Sequence, residues 1–135
     1  MCRQIRILAC DGADHRIGQC EHGTIHIFWV RASIFLAPED LLNLLGLLQC
    51  WQPQQGFAES AGLMLRRMAS GHIQLWCACV GLLLDDNELD LLRQMVWHAV
   101  GQLEHLATSQ RCRSQRWSDE YRVFTAPLTG VTSPN

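Results

Sequence analysis

Gly23 to Leu48 reads GTIHIFWVRASIFLAPEDLLNLLGLL, and Gly71 to Val96 reads GHIQLWCACVGLLLDDNELDLLRQMV. At a displacement of 48 positions, Gly23 falls on Gly71, Ile25 on Ile73, Leu36 on Leu84, Leu41 on Leu89 and Leu44 on Leu92. Apolar pairs fill the positions between: Ile27 with Leu75, Phe28 with Trp76, Ile34 with Leu82, Phe35 with Leu83, Leu47 with Met95 and Leu48 with Val96. Self-similarity at one fixed period is the signature of a duplicated structural unit.

Each copy reads as strand, short strand, helix. TIHIFWV and HIQLWCA carry β-branched and aromatic residues suited to a pleated surface. ASIFLA and VGLLL follow, with Ser33 and Gly81 as points where the chain turns or bulges. Pro38, Glu39 and Asp40 open the first helix, with proline at the first helical position and acids near the positive end of the dipole. Asp85 and Glu88 have the spacing of a capping box. Leu89, Leu92, Val96, Ala99, Leu103 and Leu106 then line one stripe of a helix running to about Thr108.

These elements predict an α+β fold: a tandem ββα repeat forming one antiparallel sheet, both helices packed on one face, and an extra N-terminal strand around Ile5 and Ile7. Residues 1–110 form the domain, with units at about 23–51 and 71–108, and Gln52 to Gly62 is a loop. Residues 111–135 are a polar, partly disordered extension that includes YRVFTA as an edge strand. In the first helix, Leu41, Leu42, Leu44, Leu45, Leu47 and Leu48 are broken only by Asn43 and Gly46, so the apolar surface wraps most of the cylinder. Such a helix is sandwiched in its own core or covered by a second chain, and a homodimer is the favoured reading.

Composition narrows the classes. At 135 residues, 48% hydrophobic, 18% charged and with a net charge of −2, the chain is a single globular domain with no pull toward nucleic acid. Arg111, Arg113, Arg116 and Arg122 concentrate positive charge near the C-terminus, where a solvated tail is the plain reading. The seven cysteines are odd in number and several sit in apolar runs, which points to buried thiols rather than a disulfide framework. No secretory h-region and no apolar run of membrane-spanning length are present, so the expectation is a cytoplasmic protein with reduced thiols and no membrane partner.

In CEHGTIHIFW, Cys20, His22 and His26 supply a thiol and two imidazoles, the donors preferred by zinc and copper. The spacing is not a paired zinc knuckle, and the second copy has Met68, Ser70 and Gln74 in these places, so residues around the start of a buried strand are the stronger reading. If His26 lies in a strand it shares a face with Phe28. Cys77 and Cys79 read as small core residues. Cys20, His22, Asp14 and His15 could be gathered in the first loop as a nucleophile grouping, but nothing resembles an oxyanion hole or phosphate loop. His98 and His105 flank the stripe of the second helix.

The pattern C-x-H-G-x-I-H-I-x-W at Cys20 to Trp29, followed by an acidic helix start and by GLLLDDNEL at Gly81 to Leu89, resembles a family of small uncharacterised bacterial proteins. The resemblance spans roughly Gly18 to Leu106 and implies a strand, Gly-Asn turn, strand and helix, with no activity attached. Val30 and Arg31 stand where that pattern has Gly-Asn.

The function expected on these grounds is a non-enzymatic protein-binding or assembly module acting on a protein partner or on itself, with no identifiable small-molecule substrate. Leu42, Leu45, Trp51 and Trp97 would form its interface, with Trp117 as a further aromatic anchor. The alternative is a metal-responsive module holding zinc or copper through Cys20, His22 and His26. A thiol-dependent enzyme ranks below both.

Overall fold

The computed structural model describes residues 2–121, and their side chains through residue 105. The chain is α+β, with strands β1 (Ile5–Asp11), β2 (His15–Cys20), β3 (Ile25–Trp29) and β4 (Ala32–Leu36) followed by helix α1 (Pro38–Cys50). Strands β5 (Phe57–Ser60), β6 (Leu63–Arg67), β7 (Ile73–Cys77) and β8 (Val80–Leu84) come next, then helix α2 (Asp86–Tyr121). The expected single sheet is instead two four-stranded antiparallel meanders, β1-β2-β3-β4 and β5-β6-β7-β8. Each pair of strands foreseen from the sequence is preceded by a second pair, and two strands lie inside the stretches read as loops. The reason is composition: FAES and HRIGQC hold their strand form by pairing with β6 and β3 rather than by a run of β-branched residues.

The displacement of 48 reappears in the bounds of β3 and β7 and of β4 and β8, and in the turns between β2 and β3 and between β6 and β7. Cys20 N–H donates to the Thr24 carbonyl and Gly23 N–H to that of Cys20; Met68 and Gly71 make the matching bonds to His72 and Met68. Gly23 and Gly71 both have positive φ, 87° and 92°, which glycine takes without cost. Ser33 and Gly81 lie inside β4 and β8 rather than at a turn, and the irregularity falls between Ile7 and Ala9. A Cβ at Gly81 would stand 3.1 Å from the Trp76 indole, a tight contact in which the ring must give way slightly.

Two compact units divide the chain, Met1–Val100 and Gly101–Asn135, so the division falls within α2. The helix runs past Thr108 to Tyr121, through a segment whose polar composition suggested its end. The expected strand beyond Tyr121, and the side chains of Trp117 and of the basic cluster, lie outside the described residues.

In the first unit, Ile17, Ile25, Ile27, Trp29 and Ile34 from one sheet and Leu65, Ile73, Leu75 and Leu84 from the other are buried with the inward stripes of the helices. α1 contacts β5 and β6 of the second sheet as well as β4, and Leu91, Gln94, Met95 and His98 of α2 form a groove with Ile7 to Asp11 of β1. Leu41, Leu44, Leu47 and Leu48 are buried within the chain. This is the sandwiched option, and it removes most of the oily surface that favoured a dimer. The α2 start carries its capping box: Glu88 N–H donates to Asp85 Oδ1 at 2.7 Å and Asp85 N–H to Glu88 Oε1 at 3.0 Å. Among the described residues no helix is long and apolar enough to cross a membrane.

The β3–β4 and β7–β8 turns put Val30 and Ala78 at φ of 55° and 56°. A primed hairpin turn matches the strand twist and wants glycine or asparagine there, and a β-branched side chain in this region is strained. Val30 N–H holds to the Asp14 carbonyl at 2.6 Å, so the strained turn is pinned to the loop between β1 and β2. Val30 is 56% exposed, so its side chain gives little back by burial. Val30→Gly is therefore expected to raise stability by about 1 kcal/mol, seen as a higher thermal midpoint. A lower midpoint would show that the turn is not strained.

Candidate metal centre

The β2–β3 pairing sets Gly18 opposite His26, and Cys20 lies two residues beyond Gly18 on the same face. His26 thus points away from the isoleucine face and packs against Phe28 at 5.9 Å and the edge of Phe35 at 4.8 Å between ring centroids. It is 7% exposed and Cys20 is 6% exposed. The tight turn after Cys20 carries His22 back over the same place, and Gln19 Nε2 steadies that turn by donating to the Gly23 carbonyl at 3.1 Å.

A fourth donor arrives from a part of the sequence not expected to contribute. β1 pairs with β2 so that Ile5 faces Cys20, which brings Cys2 beside the turn. Cys2 Sγ lies 3.5 Å from His26 Nε2 and 3.9 Å from His22 Nδ1, and Cys20 Sγ lies 3.9 Å from His22 Nδ1. In a tetrahedral zinc site, with Zn–S about 2.3 Å and Zn–N about 2.0 Å, ligand sulfur and nitrogen atoms stand about 3.6 Å apart. The three contacts bracket that edge length. All three residues proposed from spacing are therefore gathered, and the signal that would have supplied Cys2 is Asp11-Gly12, a hairpin dipeptide that folds β1 back along β2.

Ligand atoms of Cys2, Cys20, Glu21 and His22 lie within 4.8 Å of one another, a group that can hold a metal ion. The Glu21 carboxylate is already occupied: it accepts from Arg3 N–H at 2.9 Å and Gln4 N–H at 3.2 Å. The Arg3 bond above all, against the opposing effect of burial, holds its carboxyl below the ordinary value. Glu21 therefore acts as a clamp on the segment bearing Cys2, and His26, whose Nε2 lies 3.5 Å from Cys2 Sγ, stands beside this group as a further imidazole donor.

The electrostatics suit a thiolate centre. Burial works against ionisation of Cys20, but bonds from His26, Cys2 and His22 outweigh it and bring the thiol down to about 6. Cys2 moves the other way, raised chiefly by its hydrogen bond to Cys20 and then by burial. The two sulfurs thus share one proton readily and two negative charges reluctantly, until a cation is present.

The remaining candidates separate. Cys77 is buried, and its burial and then the Asp40 charge push it up to about 11, whereas Cys79 is exposed in the turn; the two thiols do not face one site. His15 packs on Trp29 with ring centroids 4.2 Å apart and planes tilted by 54°, and stands at the opposite end of β2 from Cys20, about 17 Å away at strand rise, so no Cys20–His15 nucleophile pair exists. Trp51, expected as an exposed anchor, is 6% exposed and belongs to the core. Leu42 and Trp97 are exposed, at 51% and 62%, and Leu45 is half-buried. His98 lines the groove beside β1, and His105 is exposed beyond the division in α2.

In metal-free protein the ultraviolet thiolate absorbance should rise through about pH 6 and fade as the pH drops below it, and Cys20→Ser should abolish that step. A first thiol step near the ordinary value of 9.0 would contradict the geometry. Comparison with known proteins adds no relative: no family model matches the chain, and no curated protein and no solved structure matches it.

Proposed function

We propose that the chain is a zinc-binding domain in which Cys2, Cys20, His22 and His26 fill the four positions of a tetrahedral site. The convergence of two thiols and two imidazoles at sulfur–nitrogen separations of 3.5 to 3.9 Å carries this reading. Thiolate and imidazole donors favour zinc over calcium or magnesium, which take oxygen ligands. Four protein ligands leave no open position for a reacting water, so the metal serves structure or regulation rather than catalysis. Its mechanical role follows from the donors' positions: it fastens the segment before β1 to the β2–β3 turn. Because both thiols lose their protons to bind, affinity weakens in acid.

Protein assembly is the second reading. Phe35 and Leu83, at equivalent outward positions on the two sheets, are 62% and 58% exposed, and Leu42 and Trp97 add apolar surface on the helices. Self-association or a protein partner would use these side chains. Sedimentation of the metal-loaded chain as a monomer at every concentration would remove self-association from consideration.

Titration of the reduced, metal-free chain tests the zinc reading. One equivalent should bind, and cobalt in its place should give sulfur charge-transfer bands with the intense visible absorption of a tetrahedral ion. Cys20→Ser and His26→Ala should each weaken binding by about 10-fold or more, while Gln74→Ala, at the equivalent place in the second sheet, should leave it unchanged. Substoichiometric binding, or binding indifferent to Cys20 and His26, would overturn the assignment.

A further inference from the structure

We propose that Cys2 and Cys20 form a peroxide-sensitive latch on this metal, closing to a disulfide that expels it; the inference rests on the zinc reading above. Both thiols of the site belong to the same cluster, with their sulfurs within the 4.8 Å that spans the group. A disulfide needs about 2.05 Å between sulfurs, so closure requires an approach of under about 3 Å. Cys2 is half-exposed and Cys20 is buried, which assigns their roles. Peroxide reaches Cys2 first.

The chemistry closes without a further co-reactant. The zinc-held Cys2 thiolate attacks one oxygen of hydrogen peroxide, the O–O bond breaks, hydroxide leaves, and Cys2 becomes a sulfenic acid. The Cys20 thiolate then attacks the Cys2 sulfur, the S–O bond breaks, and a second hydroxide leaves as the disulfide forms. Two protons from solvent convert the hydroxides to two waters. The peroxide has been reduced by two electrons and the two thiolates oxidised by two. What remains for the metal is His22 and His26, two neutral donors with one of them largely in solvent at 63% exposure, which is too few to retain zinc against water. The covalent link joins the same two segments that the metal joined, so the fold keeps its fastening while the ion is lost. Cys10, Cys50 and Cys79 are exposed thiols that serve as internal references.

The experiment treats the zinc-loaded full chain with hydrogen peroxide, reads released zinc with a chromogenic chelator, and maps disulfides by mass spectrometry. One zinc should be lost per Cys2–Cys20 disulfide formed, and reduction with dithiothreitol should restore zinc binding. Cys20→Ser, with zinc in excess to load it, should leave a sulfenic acid on Cys2 that dimedone captures ahead of the three reference cysteines. Zinc retained after peroxide treatment overturns the latch, as does release with Cys2 and Cys20 both still alkylatable. A chain that never takes up an equivalent of zinc fails at the loading step, which overturns the zinc reading itself and the latch with it.

Discussion

The register between β2 and β3 sets both the interior and the site. Ile17 opposite Ile27, and His15 opposite Trp29, turn one face of the sheet toward the core, and Gly18 opposite His26 necessarily faces the other way. A slip of one residue would exchange the two faces. It would expose Ile17, Ile25 and Ile27, all essentially inaccessible to water, and each buried isoleucine contributes about 1.5–3 kcal/mol. The imidazole of His26 is therefore aimed by the hydrophobic effect acting on its neighbours. Cys20 and His26, two of the four candidate donors, are thus placed by the sheet itself.

The third and fourth donors depend on the turn and on β1. Gly23 supplies the positive φ that returns the chain after Cys20, so that His22 projects toward the sulfur. Gly18 lets β1 come close: a Cβ there would meet the Ile5 side chain and stand 3.0 Å from the Arg6 carbonyl oxygen. The Glu21 carboxylate then catches the N–H groups of Arg3 and Gln4 and sets Cys2 in reach. The same scaffold exists in the second sheet without this decoration. There Ser70 Oγ and His72 Nδ1 lie 3.2 Å apart, Arg66 leans on the Met68 sulfur, and no thiol is offered. Of the two four-stranded sheets, the first gathers the thiols and imidazoles, while both contribute buried residues to the core.

The sequence revealed the local patterns better than their assembly. β3, β4, β7, β8, the helix starts and the displacement of 48 were legible because apolar runs, Pro38 and the Asp85–Glu88 pair are strong local signals. β2, β5 and β6 were not, since their residues become strands through partners distant in sequence. Missing those strands turned two meanders into one shared sheet. It also hid Cys2, which reaches the site through β1–β2 pairing rather than through spacing along the chain. For α1, composition could not tell a core helix from a dimer face, because both demand the same leucines. The burial of Leu41, Leu44, Leu47 and Leu48 decides for the core and leaves Leu42 as the outward exception.

X-ray absorption at the zinc edge, on protein purified without an affinity tag, tests the central claim most directly because it counts the donor atoms themselves. Two sulfurs at about 2.3 Å and two nitrogens at about 2.0 Å are predicted. A shell made only of oxygen and nitrogen, or one sulfur in place of two, would contradict the Cys2–Cys20–His22–His26 assignment.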